Sequence, residues 1–526
     1  MSTASSAPAS SAPALIARSA QSTVAGLFLQ QVRRGPSRPA AQTREGTVSY
    51  GTLADRARRL ASELERRSIG RGDRIAILSE NRVEYLEAYL AAAMTGAILA
   101  CQNWRLSTAE LNHCLGLVEP SLVLVSERHA EKLATVGGYD GKALVLGEAY
   151  ETALAAATPS SLSALEDLDP EAPLLILYTS GTTGLPKGAV ISHRAQIVRN
   201  MVTRAEFSIA AADSFVAWSP MYHMGAADNS IGTLMAGGKV IVVDGFDQGH
   251  LAEVIRDEPI GWLLLMPGMV GGFAAEIEAR GVTAKGIKVC GVMADLVPPA
   301  EIARITRLLD APYANTFGAT ETGCPPCSSS LIPVGTAPTS LSKEQSVFCE
   351  VRLVDPDGNE VADGDPGELA MRGPTLFSGY WRNDETNRED FRRGWFHMGD
   401  VFVRNPDGSL DFVDRVKYLI KSGGENIYPA EIERVILADP RVVDAAVVRR
   451  PDAKWGEVPI AFVARREGSP EADGLTDADL YARCRAELAG YKQPKGIIFI
   501  AMEDFPRSAS GKIQRHELEK RLPAAD

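Results

Sequence analysis

From Arg74 onward, short apolar runs recur at close intervals: "RIAIL", "SLVLV", "KALVL", "LLILY", "KVIVV", "WLLLM" and "IKVCGV". Each is strand-sized, and amphipathic, helix-like stretches lie between many of them. Buried strands alternating with helices fold as layers, helices covering the faces of a largely buried sheet. The expectation is an α/β protein. At 526 residues the chain exceeds one hydrophobic core, so at least two domains are expected.

The pattern changes near residue 347. "EVRLVDPDGNEV" and "FVRNPDGSLDFVD" each set a Pro-Asp-Gly turn between strand-like runs, which predicts hairpins. Beyond residue 416, "PAEIERVILADP" reads as a helix opening at Pro429 with acids in its first turn. "VVDAAVV" and "VPIAFVAR" read as strands and "ADLYARCRAELAGY" as a further helix. The predicted organisation is a tail at 1–20, a large multi-subdomain N-terminal α/β domain at 21–416, and a small α+β C-terminal domain at 417–526.

A net charge of −12 argues against a broad nucleic-acid surface, which needs clustered positive charge. The seven cysteines are scattered, as in a reducing compartment; Cys324 and Cys327, in "GCPPC", lack a second pair that would complete a zinc site. The longest mostly apolar stretch, "AYLAAAMTGAILA", is too short for a membrane span and reads as a buried helix. Residues 1–20 are poor in bulky groups and predict a disordered tail; the lack of acids before Glu45 faintly resembles a transit peptide. A cytoplasmic protein without transmembrane segments is expected, and a homodimer stays open.

After "LLILY" comes "TSGTTGLPKG". Its glycines let backbone N–H groups approach an anion closely, the hydroxyls of Thr179, Ser180, Thr182 and Thr183 add donors, and Lys187 adds a point charge. Gly181, Gly184 and Lys187 do not fit the usual P-loop spacing. The stretch resembles instead the phosphate loop of the adenylate-forming superfamily: acyl-CoA synthetases, luciferases and adenylation domains of peptide synthetases. Further motifs follow in that family's order. "SPMYHMG" (219–225) resembles its acyl-pocket motif, "NTFGATETG" (315–323) its adenine and magnesium motif, and "GWFHMGD" (394–400) its ribose motif. "DRVKYLIKSGGENIYPAEIE" (414–433) resembles the hinge motif and "PRSASGKIQR" (506–515) the motif of the catalytic lysine.

The resemblance implies an adenylate-forming fold whose C-terminal domain is mobile. It implies ATP, Mg²⁺ and coenzyme A as cofactor and co-substrates, and a small carboxylic acid as substrate. Thr179 to Gly184 and Lys187 would hold phosphates, Asn315, Thr316 and Phe317 the adenine, and Asp400 and Arg415 the ribose. Glu321 would ligate Mg²⁺, as a hard oxygen donor suits, and Thr320 would bond the α-phosphate. Lys512 would offset the charge that builds when a carboxylate attacks phosphorus. By the same resemblance Lys417 would occupy the hinge, and Lys421, Gly423, Gly424 and Asn426 would serve thioester formation. His223 would stand at the acyl pocket, with Met224, Gly225, Val292, Met293, Gly323, Cys324 and Pro325 as further pocket candidates.

Phe317 stands where the family commonly has tyrosine and Met398 where it has threonine, and "CGVMADLVPP" (290–299) lacks the usual small-residue pattern. "QNWRLSTAEL" (102–111) looks like bacterial fatty-acyl and aryl-acyl CoA ligases. The expected reaction is activation of a medium-chain, branched, alicyclic or aromatic acid to acyl-AMP with pyrophosphate release, then thioester formation with coenzyme A. A standalone adenylation enzyme that loads an acyl or amino acid onto a carrier protein is the alternative.

Overall fold

The computed structural model describes residues 11–137, 139, 141–179, 185–423, 425–466, 474–507 and 513–522. It divides into two compact units: Met1–Glu350 with Arg372–Glu389, and Val351–Met371 with Asp390–Asp526. The sequence reading places its boundary at 416. Compactness groups 351–371 and 390–416 with the C-terminal segment.

The first unit is built on open sheets. A six-stranded sheet runs in the order Ala143–Leu146, Leu122–Ser126, Arg74–Leu78, Ile98–Cys101, Pro173–Thr179, Lys187–Ser192. All its pairs are parallel except the last, in which Thr179 faces Lys187 across an antiparallel register. Strand residues such as Ala76, Leu78, Ile98, Val123 and Ile176 pack on Leu111, Cys114, Leu115 and Val118 of the helix Thr108–Val118 in one core. That two-sided burial explains the near-continuous apolar runs. A second, four-stranded sheet runs Thr47–Ser49, Pro39–Gln42, Val240–Val242, Phe215–Ala217, and a third runs Ile260–Leu263, Ile287–Cys290, Tyr313–Ala314, Leu331–Ile332.

Two expectations change. "AYLAAAMTGAILA" is not one helix: Val83–Thr95 is helical, Gly96 caps it at φ 75°, and Ile98–Cys101 enters the sheet. A glycine at positive φ is how a helix stops and a strand begins within one apolar run. In the stretch read as a tail, Ala12–Ser19 forms a helix with proline in its first turn, as its alanines favour; residues 1–10 lie outside the described residues.

In the second unit both expected Pro-Asp-Gly turns are present. Val354 bridges Glu360, and Phe396–Arg404 pairs antiparallel with Leu410–Arg415. These belong to a sheet ordered Glu350–Val354, Pro366–Arg372, Phe396–Arg404, Leu410–Arg415. The C-terminal sheet runs Glu425–Ile427, Ile420–Ser422, Gly456–Arg465, Val442–Asp452, with Gly496–Phe499 parallel to Gly456–Arg465. The helices Pro429–Leu437 and Asp477–Glu487 cover one face through Ile432, Ile436, Leu480 and Cys484. The second helix starts at a Thr476–Asp479 capping box.

Candidate active site

In the first unit the site is organised around a strap, residues 376–381, laid along Lys187–Ser192. Ser378 N–H donates to Val190 O, Val190 N–H to Gly379 O, and Trp381 N–H to Gly188 O, at 2.8, 3.0 and 2.8 Å. The strap also meets the turn after Phe317–Ala319, where Phe377 N–H donates to Glu321 O at 2.9 Å. Tyr380 thereby lies between two of the expected site residues. Its hydroxyl donates to Glu321 Oε1 at 2.9 Å, and Lys187 Nζ sits 4.1 Å from its ring centroid. Thr179 opposes Lys187; Ser180, Gly181, Thr182, Thr183 and Gly184 lie outside the described residues.

The turn itself is a tight hairpin, Phe317–Ala319 against Gly323–Cys327. A Cβ at Gly318 would stand 2.1 Å from Gly323 O, so only glycine fits there. Thr322 closes the turn by accepting from Ala319 N–H at 3.0 Å. Beneath it lies Arg199, 2% exposed, which donates to Thr320 O at 3.0 Å and Thr375 O at 2.9 Å and pairs with Asp228 at 3.3 Å. Burial lowers the Arg199 pKa and raises that of Asp228, so each charge depends on the other. This pair ties the helices His193–Phe207 and Met224–Ala236 to the Thr320–Glu321 turn.

Asn315 is buried and engaged within the protein. Its amide donates to Leu341 O and Ser342 O at 3.0 and 3.2 Å, and its Oδ1 accepts from the buried Lys343 at 2.6 Å. Lys343 also pairs with Asp295 at 2.7 Å, which pins the 290–299 segment to the same place. Thr316 is buried beside it, and Phe317 is half-buried. His223 is the exposed N-cap of Met224–Ala236, accepting from Gly225 N–H at 3.4 Å. Met224 and Gly225 are half-buried, Val292 and Pro325 buried, and Met293 exposed at φ 51°. The Cys324 thiol lies 3.7 Å from Thr203 Oγ1, its pKa pushed up to about 12 by burial.

Among the described residues no group of three His, Cys, Asp or Glu could hold a metal unaided. Mg²⁺ asks for less: one or two carboxylates, with phosphate oxygens and waters completing the shell. Glu321, a half-buried hard donor with one oxygen fixed by Tyr380, fits that demand.

In the second unit Asp400 and Arg415 face each other in register, Arg415 Nε 3.0 Å from the buried Asp400 Oδ1. Lys417 lies in the turn Val416–Tyr418, its Nζ 4.9 Å from the Tyr418 ring. Lys421 and Asn426 are paired and exposed on the hairpin Ile420–Ser422 and Glu425–Ile427. Gly423 donates to Trp455 O at 2.7 Å; Gly424 and Lys512 lie outside the described residues.

Both ends of the segment that carries Lys512 are anchored. Arg507 bridges Ile513, and Gln514 N–H donates to Pro506 O at 2.7 Å. Arg515 then enters the core, donating to both oxygens of Glu433 at 2.6 Å. It also lies 3.7 Å from Asp414 and 4.3 Å from the Tyr418 ring centroid. Asp414 in turn accepts from Ala430 N–H at 2.7 Å, and Glu433 from Val447 N–H at 2.6 Å.

Comparison with known proteins decides the family. The AMP-binding enzyme model matches residues 28–381, and the AMP-binding enzyme C-terminal domain matches 431–512. This chain belongs to the AMP-binding enzymes. A feruloyl-CoA synthase from an Amycolatopsis species is 34% identical over 510 residues, covering 94% of this chain and 99% of the relative. An indoleacetate–CoA ligase from Aromatoleum aromaticum is 30% identical, covering 92% and 95%. ATP-bound MatB from Rhodopseudomonas palustris superposes with a TM-score of 0.80 at 27% identity, covering 94% of this chain and 98% of its own.

In this AMP-binding enzyme two groups touch the expected site residues without having been singled out by the sequence. Tyr380 lies in "SGYW", outside every motif quoted above, and Arg199 in the middle of an amphipathic helix. One signal was available for Arg199: arginine on the buried stripe of a helix is costly unless it has partners. None marked Tyr380.

Proposed function

We propose that this AMP-binding enzyme is a carboxylic acid–CoA ligase: it converts an aromatic acid with ATP to acyl-AMP and pyrophosphate, then passes the acyl group to the thiol of coenzyme A. One observation carries the reading: Lys187 and Glu321, a cation for phosphate and a carboxylate for metal, meet on the same phenol. Bound Mg²⁺ would withdraw charge from the phosphates, with Glu321 as its protein ligand. Lys187 supplies a fixed positive charge, and the Thr320 turn, braced by Arg199, presents hydroxyl and backbone donors. Asp400 accepts from the ribose hydroxyls, with Arg415 beside it. Lys512 serves adenylation; Lys421, with Gly423, Gly424 and Asn426, serves thioester formation after rotation about Lys417.

The aromatic preference is supported by the named relatives, which act on feruloyl and indoleacetate groups. All seven cysteines are free thiols, which supports a cytoplasmic location, and among the described residues no helix is long and apolar enough to cross a membrane. The test is a panel of aromatic and aliphatic acids assayed for AMP release with coenzyme A or with a carrier protein as acceptor. The expected result is AMP release that requires both an aromatic acid and coenzyme A. Carrier-only acylation would make the chain a loading enzyme, and acid-independent AMP or ADP release would remove the ligase reading.

A further inference from the structure

We propose that Tyr380 is a positioning residue for the metal–phosphate site, holding Glu321 in its metal-binding rotamer while its ring seats the Lys187 ammonium. The inference rests on the ligase reading above and adds a residue that lies outside the motifs quoted from the sequence. Three observations carry it. The phenol donates to only one carboxylate oxygen, Glu321 Oε1, at 2.9 Å. That leaves the outer lone pairs of the carboxylate for an incoming cation. The ring face lies under Lys187 Nζ at 4.1 Å, within the range of a cation–π contact.

Tyr380 is itself fixed. It is 6% exposed, its N–H donates to Asn387 Oδ1 at 2.7 Å, and its carbonyl accepts from Asn387 Nδ2 at 3.0 Å. It also bridges Ala189 on the strand that begins with Lys187, and Phe377, three residues earlier, holds the Glu321 carbonyl. Backbone and side chain of Glu321 are thus both set by one strap.

Tyr380 preorganises the two groups. An ammonium and a carboxylate that both contact one phenol attract each other, and closing on each other would remove the groups that phosphate and metal need. A phenol that occupies an oxygen of the carboxylate and the underside of the ammonium sets their separation before the nucleotide arrives. The hydroxyl acts on the metal side and the ring on the phosphate side, so the two contributions separate by substitution.

The test is calorimetric titration of the full-length protein with ATP in EDTA and with ATP in excess Mg²⁺. Tyr380→Phe keeps the ring and removes the donor. It should weaken MgATP binding about tenfold, the scale of a lost hydrogen bond to a charged group, and leave metal-free ATP within about twofold. Tyr380→Leu removes the ring as well and should weaken both. In a Glu321→Gln background, Tyr380→Phe should change MgATP affinity no further, which separates action through Glu321 from a general loosening of the strap. Equal weakening of both nucleotide forms by Tyr380→Phe, no weakening of either, or additivity with Glu321→Gln would overturn the proposal. A wild-type protein that binds no ATP overturns the ligase reading itself, and this inference with it. Metal-enhanced binding by the wild type, matched by Tyr380→Phe, overturns the inference alone.

Discussion

Gly318 has no room for a methyl group. The atom that Gly318→Ala adds would press on backbone oxygens of Gly323 and Cys324, at 2.1 and 2.6 Å, and backbone yields less than a side-chain tip does. The variant should lose about 1–3 kcal/mol of stability by urea unfolding, and its ATP affinity should fall because the Thr320–Glu321 turn shifts. His193 gives a pH signature. It is fully buried, Val24 N–H donates to its Nδ1 at 3.3 Å, and burial lowers its pKa to about 4. The unfolded imidazole takes a proton below about pH 6.5 and the folded one only near 4, so the unfolded state binds more protons in that window. Stability should therefore fall as the pH drops from 6.5 to 4, by about 3 kcal/mol, a loss that His193→Gln removes in denaturant titrations at each pH.

At the scale of elements, the strands and hairpins were legible because their signals are local. Two-sided apolar runs marked the parallel strands, and Pro-Asp-Gly marked the turns. Hydrophobicity does not mark where a helix gives way to a strand inside "AYLAAAMTGAILA"; the φ of Gly96 does, and a glycine in sequence does not declare its φ. The candidate site was legible where a motif names its residues, and not where partners come from distant segments. Tyr380 and Glu321 are 59 residues apart, and Arg199 and Thr320 are 121 apart. The Arg515–Glu433 pair is a third such contact, joining the helix Pro429–Leu437 to the residue three places after Lys512. Glu433→Gln leaves Arg515 short of a partner charge in a buried place. It should cost about 3–5 kcal/mol in this domain, read as an earlier thermal transition, and slow adenylation more than ATP binding.

For the molecule as a whole, two lysines on one C-terminal domain are assigned to two half-reactions, and the assignment is separable. Lys512→Ala should abolish acid-dependent ATP–pyrophosphate exchange and spare thioester formation from supplied acyl-adenylate. Lys421→Ala should show the reverse, with both followed in parallel by radiolabelled exchange and by thioester release. Equal loss in both assays by both variants would count against rotation between steps. The pivot assigned to Lys417 also lies between Asp414 and the two groups that hold it, Ala430 N–H and Arg515. Under the proposed rotation, Glu433 and Arg515 would travel together on one side of that pivot, and Asp414, although packed in the same compact unit, would stay on the other. Each such swing would trade a carboxylate's protein neighbours for water and back again. The ease of that exchange, a local matter of hydrating one acid, would then help set the tempo of the whole catalytic cycle.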